Sequence, residues 1–411
     1  MKIVYVTYEY IDCQSLQIID GGLANYLHKI TTTLHKLGHD VSVIVAPANE
    51  DKQINYNGIN VIFLTGKFRK TLAHRLIWPF MSYKQKTKIR GNLYTHISRC
   101  IQKLHKKSKI DIIQYTGDWG FGKYPEKKIP SCIRISSYFK IWQEYYDIND
   151  AETLKTQQEI YTNTPFLFGP SKYIADYIKR DLNLNKDIKI IESPYPDAIK
   201  NEDDTIFKNL QLEILQNPYL LFFGTIGRLK GCGVIAECIY DILAKYSNLY
   251  FVLVGKNAVT DGTDYLEMIK NKADKFANRI ICFPSLSHAQ LYPIIRNAVG
   301  ILMPSLTENF SNACVEAMRL KKIVIGTENN FSQLLTDKES GFLAKIGNSD
   351  SLKEKIIELM SLSQAKKEQM QNRAFERTQS LSPEIICNQL LDYYRYVIAH
   401  WEIKNKGVKN D

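Results

Sequence analysis

Short, nearly unbroken apolar runs recur along this chain, each followed by a turn and then by a segment of helical periodicity. In the first half they fall at 2–8, 41–45, 111–115, 131–135, 166–169 and 188–191. In the second half they fall at 219–224, 249–254, 280–283, 300–303 and 322–325. Runs of this kind, bounded by turn residues and separated by helices, predict the buried strands of a parallel sheet. The order strand 2–8, helix ending at Leu37-Gly38, strand 41–45 implies a right-handed parallel crossover, with Gly38 where a helix takes a left-handed cap. The same plan begins again at residue 219, so the chain reads as one Rossmann-like architecture used twice. Ser193-Pro194-Tyr195-Pro196-Asp197 is a stiff connector between the halves. After Ser351 the sequence turns helical and charged, and 381–401 predicts a final helix crossing back to the first half. The expected domains are 1–197, 198–375 and a returning helix within 376–411.

Length agrees with that division, since 411 residues exceed what one hydrophobic core usually covers, and 45% hydrophobic residues suffice for two. No apolar run reaches the roughly 18 residues that span a bilayer, and residues 1–8 read as a strand and not as a signal peptide, so a cytoplasmic protein is expected. The eight cysteines include no C-x-x-C pair and several sit in apolar runs, which favours reduced, structural thiols over zinc ligands.

The candidate chemistry centres on Ser305-Leu306-Thr307-Glu308-Asn309-Phe310-Ser311-Asn312-Ala313-Cys314-Val315-Glu316, which follows the apolar run 299–304. Two readings stand. One is an ordinary amphipathic helix capped by Ser311 with both glutamates solvated. The other is a nucleotide-sugar site: with a helix from near Asn309, Glu308 and Glu316 lie about 12 Å apart along its axis. The N–H groups of Phe310, Ser311 and Asn312 would then offer a diphosphate the positive end of a helix dipole. Strand, loop and helix in that order form the ligand edge of a parallel sheet, which favours the second reading.

This segment resembles the signature of retaining GT-B glycosyltransferases of the family 4 (group 1) type, and the similarity of pattern runs from residue 1 to about 350. The resemblance implies an α/β fold of GT-B type, two Rossmann-like domains facing each other across a cleft. It implies that Glu308 lies near the donor sugar and Glu316 at the ribose, with Asn309, Phe310, Ser311 and Asn312 between them. Gly224-Thr225-Ile226-Gly227-Arg228-Leu229-Lys230-Gly231 resembles the family loop that brings cations to the leaving diphosphate, which gives that role to Lys230 and, displaced by three residues, to Arg228. Gly21-Gly22 resembles the glycine loop that approaches the donor, and a plain tight turn is the other reading of it. Asp118, in Tyr115-Thr116-Gly117-Asp118-Trp119-Gly120, is either a contact to an acceptor hydroxyl or a turn cap.

Three positions depart from the family pattern: Thr225 stands where arginine is usual, Ser136 where histidine is usual, and Gln333 where a carboxylate is usual. They motivate an alternative, a catalytically degenerate GT-B scaffold partnering an active transferase. The leading expectation is a retaining enzyme that moves a sugar from a UDP- or GDP-type donor to a glycan acceptor, lipid-linked or a surface-polysaccharide precursor. Glu308, Lys230 and Asp118 are its expected catalytic residues. No resident cofactor or metal is expected, since the chain has no Asp-x-Asp triplet, no phosphate-binding P-loop and no G-x-G-x-x-G fingerprint.

Charge adds a partner. Thirteen Lys or Arg and no acid fall between residues 67 and 109, and this segment carries the whole of the net charge of +11. Lys67, Arg69, Lys70, Arg75, Lys84, Lys86, Lys88 and Arg90 interleave with Phe68, Trp78, Phe80, Met81 and Tyr83. That mixture suits an anionic membrane surface, with the protein peripheral on the inner face; a solvated helix face over buried aromatics is the other main reading. Single-stranded nucleic acid would suit similar chemistry, but no nucleic-acid partner is expected.

Overall fold

The structure, a computed structural model, describes residues 1–19, 21–65, 83–146, 148, 150–196, 201–259 and 262–407, with side chains throughout except at 83–91 and 403–407. The chain divides into two compact units, Met1–Pro194 with Pro383–Asp411, and Tyr195–Ser382.

In the first unit β1 (Lys2–Thr7), α1 (Gly22–Lys36) and β2 (Asp40–Val45) form the expected parallel crossover. A hairpin follows, β3 (Lys52–Tyr56) and β4 (Ile59–Phe63). Apolar runs do not reveal β3, because none of its side chains is fully buried. Its sequence signal is the turn, Asn57-Gly58, both with positive φ as a two-residue hairpin requires. Then come α2 (Tyr83–Lys107), β5 (Ile112–Thr116), β6 (Ser131–Arg134), α3 (Phe139–Tyr145), α4 (Ala151–Asn163), β7 (Leu167–Gly169), α5 (Lys172–Asp181) and β8 (Ile188–Ile190). The sheet order is β3-β4-β2-β1-β5-β6-β7-β8, parallel apart from β3.

The second unit runs α6 (Thr205–Glu213), β9 (Tyr219–Phe223), α7 (Cys232–Lys245), β10 (Tyr250–Val254), α8 (Tyr265–Ala273), β11 (Ile280–Phe283), α9 (His288–Asn297), β12 (Gly300–Leu302), α10 (Asn312–Arg319), β13 (Val324–Thr327), β14 (Phe342–Ala344), α11 (Ser349–Ser361) and α12 (Gln364–Arg377). Its six parallel strands are ordered β11-β10-β9-β12-β13-β14.

The last helix, α13 (Pro383–Gly407), belongs to the first unit. Its buried tyrosines dock by their hydroxyls: Tyr394 donates to Gln114 Oε1 at 2.6 Å, and Tyr393 to the Leu167 carbonyl at 3.0 Å. The second unit extends to Ser382 and not to 375, because the short turn Thr378–Leu381 still packs there, where the Leu381 carbonyl accepts the Tyr195 N–H at 3.0 Å.

In each sheet the connections leave in opposite directions from a central pair of strands, β1 and β5 in the first and β9 and β12 in the second. At such a pair the loops beyond the carboxyl ends part and leave a crevice.

Of the basic segment, Lys67, Phe68, Arg69, Lys70, Arg75, Trp78, Phe80 and Met81 lie outside the described residues. Only the backbone of Tyr83, Lys84, Lys86, Lys88 and Arg90 is described, within α2. No helix among the described residues is long and apolar enough to cross a membrane.

Candidate functional site

The crevice between β9 and β12 gathers the second unit's motif residues. After β9 the chain makes a short 3-10 turn, Arg228–Lys230, and enters α7 through Gly231. Gly231 has φ +74, and a Cβ there would lie 1.9 Å from the Pro304 carbonyl oxygen, so glycine alone lets this loop press against the loop after β12. The two loops are also joined by the Leu306 N–H donating to the Leu229 carbonyl at 2.8 Å. Held this way, Lys230 Nζ and Glu308 Oε2 meet at 2.5 Å. The Glu308 side chain is nearly buried and that of Lys230 is about a third exposed. Arg228 lies on the same turn, exposed.

Glu308 is held from a third direction. Asn330, buried in the loop after β13, accepts the Glu308 N–H at 3.1 Å and donates to the Ser305 carbonyl at 3.0 Å and to Thr327 Oγ1 at 3.1 Å. The segment where a family carboxylate was expected thus touches the Glu308 loop through Asn330; the Gln333 carbonyl instead accepts from Arg377, at 3.2 Å. Sequence reasoning passed over Asn330 because no local pattern marks an asparagine that bonds across strands.

The helix after Glu308 starts where the capped-helix reading put it and later than the nucleotide-sugar reading assumed. Ser311 is the N-cap, with its hydroxyl accepting the Cys314 N–H at 3.2 Å, and α10 begins at Asn312. Glu308, Asn309 and Phe310 therefore lie on the preceding loop, and the helical spacing of about 12 Å does not describe the two glutamates. The N–H groups that helix geometry leaves open at this end are those of Asn312 and Ala313. Glu316 lies one turn further on, with its Oε1 3.6 Å from His288 Nε2 at the start of α9. His288 was another omission, though Ser287 and Gln290, which form the capping box of α9, mark that helix start in the sequence.

The other predicted residues lie in the first unit. Gly21 and Gly22 open α1, and a Cβ at Gly21 would meet the Glu9 carboxylate at 2.8 Å. Asp118 follows β5, beside β1, where Tyr8 and Trp119 pack with ring centroids 6.0 Å apart. Its Oδ1 accepts from Ser137 Oγ at 2.9 Å and from Gln157 Nε2 at 3.1 Å. Its Oδ2 is shut off from solvent and has no hydrogen-bond partner among the described residues. Burial pushes the carboxyl up to about 6, against the opposing pull of the Ser137 hydrogen bond and the Arg134 charge. Arg134 stacks on Tyr26 with its guanidinium carbon 3.7 Å from the ring centroid, and its Nη1 donates to Ser136 Oγ at 3.2 Å. The serine in the expected histidine position is thus an acceptor for a buried arginine. Among the described residues no three His, Cys, Asp or Glu side chains gather as a metal site would need.

Residues 217–362 match the family model described as glycosyl transferases group 1. The matched residues all lie in the second unit. An uncharacterized glycosyltransferase of Methanocaldococcus jannaschii is 27% identical over 184 residues, 44% of this chain and 50% of that protein. The chain spans about half the length of the curated relatives it matches. Among solved structures, sucrose-phosphate synthase from Thermosynechococcus elongatus superposes with a TM-score of 0.73 at 16% identity, over 97% of this chain and 100% of that one. HepE of Anabaena, solved in complex with UDP, gives 0.65 at 14% identity, over 95% and 99%. The fold is GT-B, two Rossmann-like α/β units, as the motif resemblance implied.

Proposed function

We propose that this protein is a retaining glycosyltransferase of the family 4 type, moving a hexosyl group from a UDP- or GDP-sugar to a glycan acceptor, lipid-linked or a surface-polysaccharide precursor. The observation that carries this reading is the meeting of Lys230 and Glu308 at the β9–β12 crevice, just ahead of the N-terminus of α10. In this reading a bound diphosphate takes Lys230 from Glu308, with Arg228 and the open N–H groups of Asn312 and Ala313 completing its surroundings. The leaving group gathers negative charge as the glycosidic bond breaks, and a fixed ammonium stabilises that charge most when it is greatest. Glu308, released, accepts hydrogen bonds from the donor sugar, while Asn309, Phe310 and Ser311 line the path to Glu316 at the ribose. Gly21 and Gly22, in the segment that resembles the family's glycine loop, are assigned to the donor in this reading. Asp118 accepts a hydrogen bond from the attacking acceptor hydroxyl.

The donor is held by this chain's own cations and N–H groups, without a metal. A thermal-shift panel of UDP, GDP, ADP and CMP, with and without magnesium, tests this. A ligand at 100 times its dissociation constant adds about 2.7 kcal/mol to stability, so one diphosphate should give a clear shift that magnesium does not alter. Glu316→Ala should weaken that nucleotide about tenfold, the effect of one hydrogen bond to a charged group. Unchanged affinity and turnover in Glu316→Ala would remove the donor-site assignment.

The protein works at the cytoplasmic face of a membrane, which the basic segment 67–109 contacts through lipid phosphates. Neutralising Lys84, Lys86, Lys88 and Arg90 together should release it from anionic liposomes, and unchanged binding would rule this contact out.

A further inference from the structure

A parallel crossover usually carries a helix that covers the sheet face between its strands. The crossover from β5 to β6 does not: residues 117–130 contain neither helix nor strand. The chain there is drawn close to α2, with Gly120 at φ +77 and a Cβ at that position falling 2.0 Å from Tyr94 Oη. Tyr94 Oη in turn donates to the Trp119 carbonyl at 3.0 Å. The space left open between α2, this loop and the start of α4 is a cavity of about 880 Å³.

Its wall is cationic on the side toward the end of α2. His105, Lys106, Lys127 and Lys128 line it there. Among the described residues no carboxylate lies within ion-pairing distance of Lys106, Lys127 or Lys128, whereas Lys123, also in the wall, is paired with Glu159 at 2.7 Å. Two carboxylates are in the wall as well, Glu126, which accepts from Ser98 and Gln102, and Glu152 at the start of α4, so the wall holds four lysines against two acids. His105 Nδ1 accepts the Ile110 N–H at 3.0 Å, which leaves Nε2 as the ring nitrogen that carries a proton. Lys106 suits the carbonyl end of α2 by the helix dipole alone. Lys127 and Lys128 belong to the loop and have no such account. Opposite them Tyr94 and Tyr124 present two rings with centroids 5.7 Å apart, Tyr124 well exposed.

We propose that this cavity is a binding site for a phosphate-bearing ligand, with its phosphate between Lys106, Lys127, Lys128 and His105 and its organic part against Tyr94 and Tyr124. Three ammonium groups and a ring N–H supply donors to several phosphate oxygens at once, and tyrosine faces suit a sugar ring or similar flat apolar surface. The site shares no residue with the Lys230–Glu308 crevice, and it stands whether or not that crevice binds a nucleotide sugar.

The protein is titrated by calorimetry with glucose 1-phosphate and with dihexanoyl phosphatidic acid below its micelle concentration, dihexanoyl phosphatidylcholine being the blank. Binding of either probe is expected to fall at least tenfold in Lys127→Gln/Lys128→Gln. It should persist in Lys230→Ala, and in Lys208→Gln/Lys270→Gln, which removes two charges from exposed lysines outside both the cavity and residues 67–109. Binding of glucose 1-phosphate alone assigns a small phosphate ester, and binding of the short-chain phosphatidic acid alone assigns a lipid headgroup. The proposal is overturned by any of three results: neither probe binds the wild type, the cavity variant binds as well as the wild type, or either control variant loses binding equally. Matching melting temperatures establish that all variants are folded. A nucleotide shift that survives in the cavity variant separates failure here from failure of the donor site.

Discussion

At the crevice of the second unit an ammonium and a carboxylate meet in partial contact with solvent, and both loops that carry them are pinned by backbone. At the equivalent crevice of the first unit the carboxylate Asp118 is held by neutral groups, and one of its oxygens is sealed and unpaired among the described residues. Both open where the connections of a parallel sheet part in opposite directions, although a helix follows the Glu308 loop and none follows the Asp118 loop before β6. What differs is the side chains that the neighbouring loops bring in: a lysine 2.5 Å away in one, a serine and a glutamine in the other. One crevice therefore stores fixed charge that a charged ligand can rearrange. The other keeps a carboxyl whose proton is easily exchanged near pH 6.

The contrast can be broken most severely at its charged end. Lys230→Ala should lower turnover about 100- to 1,000-fold, the range for removing one group that stabilises transition-state charge. A loss below about tenfold in single-turnover kinetics would mean that Lys230 does not face the leaving group. Gly231→Ala attacks the backbone lock instead. A left-handed φ combined with a Cβ 1.9 Å from Pro304 O should cost about 2 kcal/mol or more, read as a lowered melting temperature of the second unit. Asn330→Ala should lower kcat about tenfold while leaving nucleotide affinity nearly unchanged, because the Glu308 loop loses one clamp but the ribose contact keeps its place. An equal loss of nucleotide affinity would make Asn330 a general support of the loop and not a support of Glu308.

The smallest effect belongs to the first unit and concerns pH. Asp118 titrates at about 6 when folded, and at about 3.9 when unfolded. Between these values the folded chain holds a proton that the unfolded chain has released, so Asp118 makes stability fall as pH rises from about 4 to about 6. Asp118→Asn should remove that slope from a plot of melting temperature against pH. In kinetics, kcat/KM should rise as pH increases through about 6 in the wild type, and that acidic limb should be absent from Asp118→Asn. An identical profile in the variant would leave Asp118 as a turn residue.

Much of the fold is legible in the sequence because buried parallel strands must be apolar on both faces. Every apolar run named above coincides with a strand, and the same criterion passes over β3, which buries none of its side chains completely. Of the two readings of the Glu308 segment, the one with Ser311 as N-cap gave the start of α10, and the nucleotide-sugar reading began the helix too early because Glu308, Asn309 and Phe310 include no helix breaker. Lys230 and Glu308 were legible as candidates from their motifs, yet nothing local to either says that they touch.

Local pattern alone was enough for the two repeated α/β halves, for the Ser311 cap between Glu308 and Glu316, and for the concentration of positive charge between 67 and 109. It took the folded arrangement to make partners of Lys230 and Glu308, 78 residues apart, to set Asn330 against the Glu308 loop, and to bury Asp118 so that its carboxyl is raised to about 6. The reason is physical. Periodicity and capping act within a few residues, whereas strand order is set by how two sheets bury their apolar faces. It is strand order that chooses which loops become neighbours, and with them the partners and the solvent access of every charged group in the crevices.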